Sequence, residues 1–527
     1  MGKIIGFYIG KEETKFNPDI FAVGLSKQTL FHAGYFITVW GVDPLNLDPS
    51  IGYISLAFDG KSDLMDRNVV IELAVDSVNV KNDWLGSIPV FYNAKEKVVS
   101  TICNLCLFNK ETDLQGIANY FSFGYNAFER TVFKDVKFLR YLSEIKVSQD
   151  SLEVSYKEDP VLDADFETEC TEESAVIEMM QAYIYERESS TKGDIILPTS
   201  GGYDSRILNY FVREKSRIRS FTYGISKSQF NSFEVVHAKK ISEIFNTKWN
   251  CIPLTNFHDY IEDWFKLYGF STHLHGMYHI EFYKKMLGEN QFSSPSFLSG
   301  IIGDAWAEAG KFKKVDSVDD ITALGYSHGM SLAESHSNIK LTTEDKVNFY
   351  NQVKNYIGSD KVKAVMAMRL KLQLISYLTQ IPEYFGLPVW TPFLNFNIVK
   401  NIVNLPDSRR IKRAWQVDLF KRTGLNLEDM SLRSSKVNKL NYIIGKKTDF
   451  EPLDANLLSE YAKKERIKEI NETLHGETVW QEFISELLYV PKVSGVLRRL
   501  GYKNKFLIAL NEYYVLKALE KGLKYER

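Results

Sequence analysis

A strand, a tight turn and a helix meet between residues 195 and 212, and that junction limits what the chain can become. The apolar stretch Ile195-Ile196-Leu197 reads as a buried strand, and Ile207, Leu208, Phe211 and Val212 recur at helical spacing. Between them lies Ser200-Gly201-Gly202-Tyr203-Asp204-Ser205. Two adjacent glycines let the backbone approach a ligand with no Cβ in the way, and the first-turn N–H groups of the helix add a fixed positive partial charge. This predicts a phosphate-sized anion cradle. Asp204 sets a carboxylate beside the anion, which calls for a bridging divalent cation. A bare Ser-Gly-Gly would read equally as a turn capping a helix; the spaced Asp and Ser between strand and helix favour phosphate. The common P-loop is excluded, because no GxxxxGK[ST] segment occurs.

Strand-helix alternation continues after the turn. Arg219–Gly224 reads as a second strand, and Asn231-Ser232-Phe233-Glu234 has a capping-box pattern that opens a helix with Val235, Val236, Ala238, Ile241, Ile244 and Phe245 inward. Lys248–Leu254 supplies a third strand. Such repeats predict a parallel, doubly wound sheet whose ligands bind at the carboxyl ends of strands, where Ser200 and Gly224 fall. The first 160 residues are instead β-rich, with strands expected at Ile4–Ile9, Val69–Val75, Ile88–Tyr92, Val98–Ile102 and Ile145–Tyr156. An acidic stretch from Glu158 to Glu173 reads as the linker, giving an α/β chain divided at 1–165 and 166–527.

A chain of 527 residues with 44% hydrophobic content has material for two or three cores. Its net charge of −2 argues against nucleic acid as main partner, and no run of 18 apolar residues offers a membrane span. The opening segment is stopped by Lys11, Glu12 and Glu13, so it reads as a strand and not a signal peptide, and a cytoplasmic location is expected. Four cysteines, at 103, 106, 170 and 251, are too few for a disulfide framework, and Cys103 and Cys106 are expected to be half-buried small residues and not a metal site.

With its Ser-Gly-Gly-x-Asp-Ser turn, the chain resembles the asparagine synthetase-like ATP pyrophosphatases, a family that includes beta-lactam synthetases and lasso peptide cyclases. The resemblance implies that the turn binds the pyrophosphate part of ATP. Asn82-Asp83-Trp84-Leu85-Gly86 with Pro89-Val90-Phe91-Tyr92, and Thr131-Val132-Phe133-Lys134 with Leu139, are similar to the glutamine amidotransferase domain of that family. The implied architecture is an N-terminal α+β amidotransferase-like, Ntn-type sandwich followed by an ATP pyrophosphatase domain with added helices. Amidotransferases use a cysteine exposed after Met removal. Here the second residue is Gly2 and the first cysteine is Cys103, so a domain without glutaminase chemistry is expected.

Leu298-Ser299-Gly300-Ile301-Ile302-Gly303-Asp304 is similar to the L-S-G-x-G-x-D element of the family, with the second glycine displaced by one position. The resemblance implies that Asp304 joins Asp204 on Mg²⁺, and that Tyr223 with the backbone of Ser299 and Gly300 borders the adenine. A capping aspartate is the structural alternative for Asp304. Relatives carry Glu or Tyr where this chain has Ile301, which does no acid-base work. Glu308, His273, His275 and His279 are candidate replacements, against structural roles for the histidines. Val389-Trp390-Thr391-Pro392-Phe393-Leu394-Asn395 resembles R-x-P-F-L-D with two substitutions and reads mainly as a packing element.

The polar segment 431–439 resembles the loop whose lysine neutralises the leaving pyrophosphate. Lys436 is the expected cation, with Lys439 and Arg433 behind it, and a solvated charge run is the bland alternative. The resemblance thus implies an ATP- and Mg²⁺-dependent, AMP-forming amide ligase. Its substrate would be a small molecule, sugar or peptide supplying a carboxylate and an amine, joined intramolecularly or between molecules. Amidation of a polysaccharide sugar carboxylate, a non-catalytic scaffold and a tRNA- or sulfur-modifying enzyme stay open, as does a homodimer.

Overall fold

The computed structural model describes residues 2–526 apart from 46, 48, 164, 169–170, 308–312, 327–328, 477 and 491. Glu308 and Cys170 lie outside the described residues. The fold is mixed α/β, with two antiparallel sheets followed by one parallel sheet.

The antiparallel sheets use β1 (Lys3–Gly10), β2 (Ser26–His32), β3 (Tyr35–Val42), β4 (Tyr53–Ser55), β5 (Val69–Leu73), β6 (Ser77–Asn82), β7 (Phe91–Asn93), β8 (Val98–Ser100), β9 (Val136–Phe138), β10 (Ser143–Ser148) and β11 (Leu152–Tyr156). Their orders are β2-β3-β1-β8-β7-β9 and β11-β10-β6-β5-β4. Ile4, Phe7 and Ile9 of the first sheet share one apolar core with Val69, Ile71, Val78, Val80, Ile145 and Val147 of the second, so the two sheets form a sandwich. Ile5 and Tyr8 point the other way, into a core shared with Trp264, Tyr377 and Tyr384. Alternating side chains on either side of a register shift between Ile4 and Gly6 therefore bury β1 on both faces.

Charged groups cross that second seam. Glu383, on the helix Tyr377–Tyr384, pairs with Lys3 and takes both arms of Arg67 at 2.9 and 2.8 Å, with all three side chains buried. Burial lowers the Lys3 ammonium to about 8 despite its carboxylate partner. Arg369 reaches the Trp84 carbonyl at 2.8 Å and Asp159 at 2.9 Å.

The parallel sheet comprises β12 (Ile195–Pro198), β13 (Ile218–Thr222), β14 (Lys248–Cys251), β15 (Ser296–Leu298) and β16 (Val389–Trp390), in the order β14-β13-β12-β15-β16. Every pairing in it is parallel. Ile195 and Leu197 enter one core and Ile196 enters the other, so both faces are covered, as a doubly wound sheet requires. Strand order reverses between β12 and β15. That switch point is where open α/β sheets place ligands, because the loops leaving the two strands diverge there.

Several expectations need correction. Ile145–Tyr156 is a hairpin of β10 and β11, not one strand, and β2, β3, β4, β6 and β9 of the antiparallel sheets were not anticipated. The capping box at 231–234 does not form: the Ser232 hydroxyl accepts the Ser226 N–H at 2.9 Å instead. On that helix, Phe233–Phe245, Val235, Ala238 and Ile241 are buried while Ile244 is exposed. Cys103 and Cys106 are fully buried, and desolvation pushes the Cys103 thiol up to about 12. Among the described residues, no helix is long and apolar enough to cross a membrane.

Candidate functional site

The turn after β12 is closed by its own side chains. The Ser205 hydroxyl accepts the Ser200 N–H and lies 3.1 Å from the Ser200 carbonyl, and the Ser200 hydroxyl accepts the Gly202 N–H at 3.1 Å. The helix Tyr203–Phe211 then begins with Gly202 as its cap, turning its first N–H groups toward the mouth of the turn. Arg206, fully buried, draws the Gly201 carbonyl back at 2.9 Å and is fixed by Glu428 at 2.9 and 3.0 Å. Gly201 has to be glycine, since a Cβ there would lie 2.6 Å from the Phe233 ring and 2.9 Å from His237.

The turn after β15 packs directly on this one. A Cβ on Gly303 would lie 2.8 Å from Asp204 Cγ and 2.9 Å from its Oδ1. The carboxylate of Asp204 thus rests on the backbone that leads into Asp304, the exposed second residue of the helix Gly303–Ala307. The displaced glycine now has an explanation. Ile302 holds φ +51, a left-handed conformation costly for a β-branched residue, while Gly303 supplies the close approach. Gly300 is looser, since a Cβ there would meet its nearest neighbours at 3.6 Å. Ser299 is buried behind it, donating its N–H to the Trp390 carbonyl at 3.0 Å.

A third segment closes the ring. Ser435 pairs with the start of the 233–245 helix, its N–H on the Asn231 carbonyl and its carbonyl on the Phe233 N–H, both at 2.8 Å. The exposed Lys436 therefore stands with Nζ 4.8 Å from the centre of the Phe233 ring, the ring that touches Gly201. Lys439 is excluded as the mobile cation: it is buried and paired with Glu486.

Two cations escaped the sequence reading. Arg413 brings Nη1 to 3.8 Å from Asp204 Oδ1 and its guanidinium to 5.3 Å from the Tyr203 ring. Consecutive left-handed residues, Lys412 at φ +53 and Arg413 at φ +57, aim it there. In sequence it is lost within Arg409-Arg410-Ile411-Lys412-Arg413, which looks like a solvated charge run. Lys371, on the helix Asp360–Ile375, feels the charge of Asp304 although burial lowers its own ammonium.

The remaining candidates have aromatic or polar neighbours of their own. Tyr223 is half-buried and its ring packs 5.6 Å from those of Tyr278 and Phe282, with burial holding the phenol protonated. His279 lies in the same aromatic cluster, where desolvation lowers it to about 3, making it a poor base. His273 accepts the His275 N–H at 3.2 Å, and His275 is 2.9 Å from Asn441, so both have structural partners.

Among the described residues, no three His, Cys, Asp or Glu side chains gather to hold a metal alone. Mg²⁺ in phosphate sites takes one or two carboxylates and completes its shell from phosphate oxygens and water. Asp204, set on the backbone next to Asp304, fits that sparse donor set.

No protein-family model matches the chain, and no curated protein matches it. Among solved structures 22 chains match. One is the NH3-dependent NAD synthetase from Campylobacter jejuni subsp. jejuni NCTC 11168 in complex with the nitrate ion, 12% identical with a TM-score of 0.21, covering 39% of this chain and 96% of that one. The fold assignment rests on the strand order above.

Proposed function

We propose that the chain is an ATP- and Mg²⁺-dependent ligase that activates a substrate carboxylate as its adenylate, releases pyrophosphate and passes the acyl group to an amine. In this reading residues 1–165 form an amidotransferase-like sandwich without glutaminase chemistry, and residues 166–527 the ligase. One observation carries the proposal: the two glycine turns flanking the switch point of the parallel sheet interlock, with the Asp204 carboxylate against Gly303 and an exposed lysine over the Phe233 ring that lies beside Gly201.

The geometry supports a division of labour. Gly201 and the 203–211 helix terminus receive phosphate oxygens through N–H groups. Asp204 and Asp304 would hold Mg²⁺, which supplies charge neutralisation on the phosphates. Lys436 stands over the Phe233 ring and Arg413 lies 3.8 Å from Asp204 Oδ1, where they stabilise negative charge gathering on the leaving pyrophosphate. Carboxylate oxygen bonds to the α-phosphorus as the bond to pyrophosphate breaks; the amine nitrogen then displaces AMP and gives up a proton. Ile301 is buried and supplies no base. A Cβ at Gly2 would lie 1.7 Å from the Pro44 carbonyl oxygen, so the backbone there leaves no room for a cysteine side chain, in keeping with a sandwich that hydrolyses no glutamine. The amine is then that of the same molecule, closing a ring, or of a second small molecule or sugar.

The test is calorimetric titration of the full chain with MgATP, followed by pyrophosphate–ATP exchange over a panel of carboxylates. Binding that Asp204→Asn removes, and exchange with at least one carboxylate, are expected. A chain that does not bind MgATP, or binds it equally well after Asp204→Asn, refutes the proposal.

A further inference from the structure

A second cavity, of about 370 Å³, lies between the sandwich and the helices Glu344–Val353 and Asp360–Ile375. Its size falls within the usual range of small-molecule pockets, roughly 300–1,000 Å³. One wall is strained: Phe128 and Glu129 are consecutive left-handed residues, at φ +56 and +61. Backbone strain of this kind collects where a side chain must be aimed. Here it presents the Phe128 ring, 5.3 Å from that of Phe349, and the Glu129 carboxylate.

The charges in this cavity are unevenly matched. Arg130 is satisfied by Asp113 and Asp345, both at 2.8 Å, and Arg369 by Asp159. Arg140 and Lys137 form no ion pair among the described residues, and they share the field of one carboxylate, Glu129, which takes the Tyr156 hydroxyl at 2.8 Å. The Arg140 guanidinium is instead held between two rings, 4.4 Å from Tyr156 and 5.1 Å from Tyr141. Such stacking orders a guanidinium in advance and leaves its donor edge for a planar anion. Behind it, Gln373 is 6% exposed and its Oε1 meets no hydrogen-bond donor. A buried acceptor without a donor is uncommon in finished packing, and an ammonium or indole N–H on a ligand would supply one, whereas its carboxylate would not.

We infer that this cavity binds a small carboxylate borne on a flat aromatic body, its carboxylate on Arg140 and Lys137 and its ring against Phe128, Phe349 and Tyr141. A ligand seated there touches the 360–375 helix, whose Gln373 and Leu370 line the cavity while Lys371, on the same helix, faces the charge of Asp304.

The experiment titrates the full chain, by calorimetry and saturation-transfer NMR, with benzoate, 3-phenylpropionate, indole-3-acetate and phenylalanine, each beside the amide that lacks its carboxylate charge. At least one acid is expected to bind saturably and at least tenfold more tightly than its amide, with saturating MgATP leaving that affinity unchanged. Phenylalanine binding best indicates an amino acid, and a deaminated acid binding best indicates a simple aryl acid; both support the inference. Arg140→Gln should weaken binding at least tenfold, and Asn348→Trp, at an exposed position on the rim, should block it. No binding by any acid, equal binding of acid and amide, or binding that survives Asn348→Trp overturns the inference. Should Arg140→Gln fail to fold, the acid–amide comparison and Asn348→Trp decide the matter.

Discussion

Adding one methyl group at position 303 should disable the candidate site while the same change at position 300 leaves it intact. The Gly303→Ala methyl would lie 2.8 Å from Asp204 Cγ, 2.9 Å from Oδ1 and 3.0 Å from the Phe393 ring, whereas ordinary contact begins at 3.4 Å. The carboxylate must therefore retreat by about 0.6 Å, the difference between 3.4 and 2.8 Å, because the Phe393 ring closes the other side. Magnesium–oxygen bonds are held near about 2.0–2.1 Å, and sites lose function beyond roughly 0.5 Å of displacement. A full 1 Å misplacement in a reacting geometry costs about a hundredfold, so for this smaller retreat MgATP affinity should fall by about tenfold, or roughly 1.4 kcal/mol. The Gly300→Ala methyl meets Asp204 Cβ, Leu208 and the Ser205 nitrogen at 3.6 Å, an ordinary contact, so its affinity should stay within about twofold. Neither change needs a positive φ, so Gly300→Ala should melt close to the parent and any loss in Gly303→Ala reports crowding against Asp204 and Phe393. Calorimetric titration of the three proteins reads the contrast. Equal affinities for the two variants, or an unaltered Gly303→Ala, would refute the placement of Asp204 at the metal.

Three further outcomes follow from named groups. Glu383→Gln strands Lys3 and Arg67 in a buried seam and should cost about 3–5 kcal/mol in urea denaturation; a loss under about 1 kcal/mol would contradict the seam. Lys3 gives up its proton near pH 8 when folded but only near about 10.4 when unfolded, so its charge burdens the fold below pH 8 and that burden lifts as pH rises. Stability of the parent relative to Lys3→Met should accordingly increase between pH 8 and 10, and a flat difference would count against the depressed value. Lys436→Ala should leave the melting temperature unchanged, since the side chain is exposed, yet weaken inorganic pyrophosphate binding about tenfold; undiminished binding would remove Lys436 from the site.

The local conformation of the first glycine turn was readable in the sequence, because a strand, a tight turn and a helix are contiguous there and each rests on short-range preferences. Ile195–Leu197, the Ser200–Ser205 turn and the apolar stripe through Val212 all appear where the spacing places them. Elements that rely on partners were harder to see. The exposed Ser26–His32 strand gains its identity from pairing with β3, and the turn within Ile145–Tyr156 is hidden by flanking residues of equal β preference. The helix at 233 likewise begins where expected, but its cap is diverted to Ser226, a contact six residues back across a loop.

What tertiary structure alone decided is which distant charges meet. Arg413 and Lys436 lie in runs of basic residues that look alike in one dimension, and only the left-handed pair at 412–413 and the pairing of Ser435 with the 233–245 helix turn one of each toward the cradle. The order β14-β13-β12-β15-β16 does the same for the two turns, bringing residue 204 against residue 303 at the switch point. Sequence determines local conformation through interactions a few residues long; the field at a site sums over charges brought near by chain crossings, and those exist only once the sheet has formed.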